Sequence, residues 1–289
     1  MEDMITGLCP QCGHTLHIPA ELASFSCMYC GARLTKEQLA AEPPAAQEAD
    51  EDRAAYYDRA VSRLGWCIKN FGGYQKKIMR DVFFEAFETY ETGCAPVIQE
   101  LARGVAPEQQ TQLLGRAAAA MLDELEAGWQ KKGDMEDEKI VLAIFFVPMV
   151  RKQQLPISEE FVTILQKQWV ERYPKSPFYL GDYESISGGF RKKFLGLCFI
   201  TTAVCQELGK PDDCEELTAF RAFRDGYLRS QPDGEALIRE YYNIAPGIVT
   251  CINTCSDRHA SYARIREEYL APCYQDLLAG RNESCKARY

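Results

Sequence analysis

Residues 107–129 read PEQQTQLLGRAAAAMLDELEAGW, and their apolar spacing decides the fold class. Leu114, Ala117, Met121, Leu125 and Trp129 recur every three or four residues, one stripe of a 3.6-residue helix. Pro107 suits the first turn of that helix. The same period continues on either side. Upstream, Tyr57, Val61, Leu64 and Ile68 carry it, then Ile78, Val82, Phe83, Phe87 and Tyr90. Downstream, Ser158 is placed to cap a helix, with Glu159 and Glu160 in its first turn and Phe161, Leu165 and Trp169 behind them. The expectation is a mainly α chain built of helical bundle-like modules.

The modules have readable joins. RYPKSPFYLGDYESISGG, 172–189, holds two prolines and three glycines and marks a boundary, giving helical domains over 56–189 and 190–289. Within the second, CFITTAVCQELG (198–209) reads as a helix stopped by Gly209 and Pro211. Asp212 with Glu215 fits a capping box, and Asp233 caps a segment ending at Tyr241 and Tyr242. Pro246 then opens a long helix through Ile252, Tyr262 and Tyr269, with a kink expected at Pro272 and a stop at Gly280. Residues 37–55, EQLAAEPPAAQEADEDRAA, are acidic, contain two prolines and lack aromatics, so they read as a linker.

Composition narrows the class of function. The 289 residues carry 33 basic and 42 acidic side chains, a net charge of −9, which disfavours general binding to nucleic acid or anionic membranes. The longest apolar run, IVLAIFFVPMV (140–150), falls short of the about 20 residues a membrane helix needs, so it reads as a buried element. MEDMITGLCPQCG has no apolar leader region. A cytoplasmic location is the expectation, and there the 13 cysteines read as metal ligands, buried thiols or catalytic thiols rather than disulfides.

Four of those cysteines form the strongest motif. Cys9 and Cys12 lie two residues apart, fourteen residues follow, and Cys27 and Cys30 repeat the spacing. Thiolates so spaced grip one ion when the backbone turns tightly between them. Gly13 and Gly31 follow each pair, and glycine tolerates the positive φ of such a knuckle. Four thiolates make a closed tetrahedral Zn²⁺ site with no open position, hence a structural one. His14 and His17 are alternative ligands, and iron is an alternative ion. CPQCGHTLHIPAELASFSCMYCGARL, 9–34, resembles the zinc-ribbon family, which implies two short hairpins pinched by one zinc, a small N-terminal β module over 1–36. Arg33 and Lys36 face four acids in this module (Glu2, Asp3, Glu21 and Glu37), so a protein partner is expected rather than nucleic acid.

A second resemblance lies near the other end. CFITTAV (198–204), AFRAFRDGYL (219–228), Gly234 and YYNIAPGI (241–248) resemble, in that order, the bacterial CFI-box C-terminal domain. The match covers Cys198, Phe199, Ile200, Arg221, Phe223, Arg224, Asp225, Tyr241, Tyr242 and Pro246, and departs at Val204-Cys205, where the family commonly has an aromatic followed by Gly. The resemblance implies a fold and confers no activity.

Read as chemistry, Cys198 at a helix start is either a nucleophile or a small buried hydrophobe, and the apolar Phe199, Ile200, Ala203 and Val204 around it favour the latter. His259, the one histidine outside the ribbon, sits in a polar stretch that reads as a solvated helix face. Arg221 and Asp225, four apart, read as an exposed helix ion pair. Arg221, Arg224 and Asp225 beside Tyr241 and Tyr242 form a possible functional surface for an anion or carboxylate. With no Gly-rich phosphate loop, HExxH or GxSxG, the leading expectation is a binding or scaffold protein, and the alternative is a thiol enzyme or self-modifying domain centred on Cys198.

Overall fold

Two short hairpins open the chain. β1 (Met4–Leu8) pairs antiparallel with β2 (Thr15–Pro19), setting Ile5 opposite Ile18 and Gly7 opposite Leu16. β3 (Ser24–Ser26) pairs with β4 (Arg33–Thr35), setting Phe25 opposite Leu34. Leu16, Ile18 and Leu34 join Cys9 and Cys27 in a small buried cluster. The structure, a computed structural model, describes residues 4–11, 15–39, 50–191, 198–255 and 257–289. The chain divides into two compact units, 1–54 and 55–289.

Helices make up the rest. They are α1 (Asp50–Leu64), α2 (Trp66–Lys69), α3 (Phe83–Gly104), α4 (Gln110–Gly128), α5 (Lys132–Val141), α6 (Val147–Lys152), α7 (Ser158–Arg172) and α8 (Tyr183–Arg191). After them come α9 (Phe199–Glu207), α10 (Glu215–Ala222), α11 (Gly234–Cys255), α12 (Arg258–Ile265), α13 (Ala271–Leu278) and α14 (Asn282–Arg288). The chain is mainly α with a small N-terminal β element, as the apolar period predicts. Among the described residues no helix is long and apolar enough to cross a membrane. Part of the expected linker, 40–49, lies outside the described residues. α1 begins at Asp50, inside the stretch read as linker.

The unit 55–289 has two apolar clusters. The larger gathers α1 to α8 around Phe83, Phe87, Tyr90, Phe145 and Trp169, with Phe83 stacked on Phe190 at 4.3 Å. The smaller gathers α9 to α14 around Cys198, Leu217, Phe220, Phe223, Ile238 and Cys273. α11 serves both, sending Cys255 into the first and Ile238 and Ile252 into the second.

Several local expectations are corrected. Ile157, not Ser158, precedes the first turn of α7. Ser158 Oγ instead donates to the Val150 carbonyl (2.8 Å) and accepts from Leu155 N–H (3.1 Å), so it ties the helix start to α6. Asp212 is not the cap of α10, a place Cys214 holds. α11 runs unbroken through Pro246. The proline lacks an N–H to bond back within the helix, yet it is buried there, and Thr250 Oγ1 donates to its carbonyl (2.9 Å). The helix expected to continue from Pro246 to Tyr269 ends at Cys255, and Asp257 caps α12 by accepting from Ala260 N–H.

Three wide π-type turns interrupt the helical runs, at Leu142–Phe146, Phe223–Tyr227 and Arg266–Leu270. Each inserts one residue, which rotates the following side chains by about 100° relative to a regular helix. Pro272 follows the third, at the start of α13.

Candidate metal centre and the Cys198 site

Cys9 directly follows β1 and Cys27 directly follows β3, so the two hairpins deliver thiols to one place. The Sγ atoms of Cys9, Cys27 and Cys30 all lie within 4.8 Å of one another, close enough to hold a metal ion. Cys9 Sγ and Cys30 Sγ are 3.7 Å apart. Four thiolates about 2.3 Å from a tetrahedral ion are themselves about 3.8 Å apart, so this pair has the separation of two ligands of one ion. The knuckle is formed as expected: Gly31 takes φ of 77°, its N–H donates to the Cys27 carbonyl (2.8 Å), and Cys27 N–H donates to the Ala32 carbonyl (2.8 Å). Cys12, Gly13 and His14 lie outside the described residues. His17 sits exposed in β2, opposite Thr6. Among the described residues, no second group of three such ligands gathers, so the cysteines of α9 to α14 form no further cluster of that size.

Among the described residues the centre offers three soft thiol donors. Cys9 and Cys27 are buried in the ribbon's small core, while Cys30 stands at the surface. Between the last two thiols, Met28 and Tyr29 point outward, 78% and 57% exposed.

Cys198, Arg224, Asp225, Tyr241 and Tyr242 converge at a second place. Cys198 precedes α9 and is 1% exposed. Arg224, in the π-type turn after α10, is 5% exposed and directs Nη1–H at Cys198 Sγ, 3.5 Å away. Its Nε and Nη2 donate to the two Asp225 carboxylate oxygens (2.8 and 2.6 Å). The setting of Cys198 is therefore not wholly apolar. Burial nevertheless dominates and pushes the Cys198 thiol up, against the lowering effect of Arg224 and Arg221. The same side-on pairing holds Asp225 below the usual carboxylate range.

The helix start does not serve the thiol either. Ile200 N–H, in the first turn of α9, donates to Tyr241 Oη (3.0 Å). Tyr241 stacks on Tyr289 at 6.0 Å, and Tyr289 stacks on Phe220. Burial raises Tyr241 well above the ordinary phenol value and raises Tyr242 as well. His259 is exposed on α12 and pairs with Glu207 at the last turn of α9. Nine residues of helix, about 13 Å, separate that turn from Cys198, so His259 does not meet the thiol.

Arg221 does not join this group. Its Nη2 donates to both Asp212 carboxylate oxygens (2.9 Å each) and its Nη1 to the Asp212 carbonyl (2.7 Å). The expected ion pair of Arg221 with Asp225 is absent because the wide turn begins between them, at Phe223, and swings Asp225 towards Arg224 and Arg229. Sequence reading passed over Tyr289, Arg229 and Ile238 as site residues, since their approach is a product of folding. It did carry a signal for Arg224, a cation in phase with the apolar Leu217, Phe220 and Tyr227 of its helix.

Comparisons of the chain with protein-family models, with curated proteins and with solved structures give no match.

Proposed function

We propose that this chain is a cytoplasmic binding or scaffold protein whose N-terminal ribbon is held by one Zn²⁺ on Cys9, Cys12, Cys27 and Cys30 and presents a protein-facing knuckle. The observation that carries the reading is the approach of three thiols within 4.8 Å at the base of two hairpins. A unit of this size, with Cys9, Leu16, Ile18, Cys27 and Leu34 as its buried cluster among the described residues, needs a staple to fold, and a bound ion supplies one. Met28 and Tyr29, exposed between two ligands, present apolar surface to a protein partner, and the acidic chain disfavours nucleic acid. The resemblance of about 196–255 to the CFI-box domain belongs to the same proposal and adds no activity to it.

The alternative reading, a thiol enzyme centred on Cys198, is favoured by one observation, the Arg224 guanidinium 3.5 Å from Sγ. It is opposed by the burial that raises the thiol and by the Arg224 pairing that holds the nearby Asp225 carboxylate low, which makes it a weak base. Two measurements test the proposal. Elemental analysis of protein purified without chelator should find one zinc per chain, and none in Cys9→Ser. Limiting alkylation of the native protein at neutral pH should leave Cys198 unlabelled. Absence of metal, or labelling of Cys198 ahead of all other thiols, would sink it.

A further inference from the structure

Two cavities meet at the α10–α11 face, and Arg224 and Ile238 line both. The outer one, about 470 Å³, is a bowl edged by Arg80, Arg224, Arg229 and Arg239, with Asp81, Asp225 and Glu235 as its acids. The inner one, about 130 Å³, has an apolar side of Phe223, Leu228, Leu237 and Ile238, and Cys198, Tyr241, Tyr289 and Lys286 complete its lining with Arg224. We propose that the pair binds a small organic anion, with a carboxylate or phosphate head in the bowl and a short apolar tail in the inner cavity.

The charges in the bowl are arranged rather than scattered. Asp225 grips Arg224 side-on and lies 3.8 Å from Arg229, and Glu235 holds Arg229 at 3.0 Å. These acids fix the guanidiniums instead of cancelling the site. Arg224 spends three of its five N–H donors on Asp225 and Cys198, which leaves two. Arg239 stands exposed on the rim and makes no ion pair among the described residues. Four guanidiniums thus outnumber three carboxylates in a chain of net charge −9, and guanidinium is the group best matched to a carboxylate or phosphate. The rim is also pinned: Arg80 N–H donates to the Asn243 carbonyl (3.0 Å), and Asp81 N–H donates to Asn243 Oδ1 (3.1 Å).

The inner cavity sets the tail. Its apolar side gives water few partners, so a tail packed against Phe223, Leu228, Leu237 and Ile238 gains there, while Lys286 and Arg224 face the head-group end of the guest with positive charge. At about 30 Å³ per small group, 130 Å³ takes about four methylene-sized groups. A wide π-type turn forms the wall between the cavities and brings the buried Arg224 to the shared edge. Turns of this kind recur at functional sites. The site lies wholly in the helical unit, so its fate is independent of the ribbon proposal.

Isothermal titration calorimetry of the full chain tests it with inorganic phosphate, ethyl, butyl and octyl phosphate, and pentanoate. Butyl phosphate should bind more tightly than phosphate, with each methylene worth about fourfold until the gain stops near four carbons. Arg239→Gln, at an exposed position, should weaken every anion by about fivefold or more. Leu237→Glu, half exposed at the inner wall, should keep phosphate binding and remove the preference for the butyl tail. The tighter of butyl phosphate and pentanoate assigns the head group. The proposal is overturned if neither butyl phosphate nor pentanoate binds, if butyl phosphate binds no more tightly than inorganic phosphate while pentanoate does not bind, or if both variants, folded by circular dichroism, bind like the parent.

Discussion

Arg224 Nη1 lies 3.5 Å from Cys198 Sγ, joining the wide turn after α10 to the residue that opens α9. The thiol is buried in an apolar cluster, yet a cation lies against it. A purely apolar setting makes Cys198→Asp ruinous, because it buries an unpaired charge. The guanidinium changes that expectation. Cys198→Asp should cost less beside Arg224 than in an Arg224→Met background, with a coupling of about 1–3 kcal/mol in a double-mutant cycle. Denaturant midpoints of the four proteins check it, and additivity would mean that the contact carries no energy.

Removing the proposed ion should unfold the N-terminal unit alone. Among the described residues its core holds Cys9, Leu16, Ile18, Cys27 and Leu34, and the chain divides into units 1–54 and 55–289. Chelation, or Cys27→Ser, should expose the first 39 residues to limited proteolysis and leave the helical unit's melting within about 0.5 kcal/mol of the parent.

A chain beginning at Asp50 should remain helical and melt cooperatively. α1 starts there, and its Tyr57 Oη donates to the Leu113 carbonyl (2.8 Å), so the cut must spare this helix. Far-UV circular dichroism across a thermal melt reads the outcome, and a loss of cooperativity would show that the ribbon supports the helical unit.

Alkaline pH should destabilise the helical unit through its buried thiols. Burial pushes Cys251 up to about 12 and Cys255 up to about 11, against about 8.5 for a free thiol. At pH 10 the unfolded chain has lost these protons and the folded chain has kept them. Stability is therefore full below about pH 8.5 and falls as pH rises towards the folded values. The denaturant midpoint should decline between pH 8 and pH 10.5, and Cys255→Ala should flatten that decline.

Two glycine substitutions should move stability in opposite directions. A Cβ at Gly247 in α11 would sit 1.8 Å from the Ile78 carbonyl oxygen, a backbone atom that cannot swing aside. Gly247→Ala should cost about 3 kcal/mol or more. A Cβ at Gly188 in α8 would meet nothing within 4 Å, and alanine there should stabilise by about 0.5–1 kcal/mol. Paired thermal melts measure both.

Much of the fold is legible because helix periodicity is a local property. Leu114, Ala117, Met121 and Leu125 lie buried on one face of α4, as their spacing requires. Gly209 and Gly280 take φ of 67° and 72° at the helix stops their positions suggest. The spacing of Cys9, Cys27 and Cys30 states a metal site because ligand geometry is written in short-range turns.

The anion-site residues divide on the same line. Sequence placed Arg221, Arg224 and Asp225 on one helix and could not tell which turn would widen. The π-type turn at Phe223–Tyr227 gave Arg221 to Asp212 and Arg224 to Asp225 and Cys198. Likewise Pro246 reads as a helix start, and burial in the packed unit carried α11 straight through it. By itself, then, the sequence determined which faces are apolar, the glycine stops at Gly209 and Gly280, and where thiols come close enough to hold a metal ion, since each depends on neighbours a few residues away. Tertiary structure alone decided that Arg224 would be buried against Cys198 and that two cavities would meet at Ile238, because those contacts join α9, α10 and α11 through the packing of their shared core.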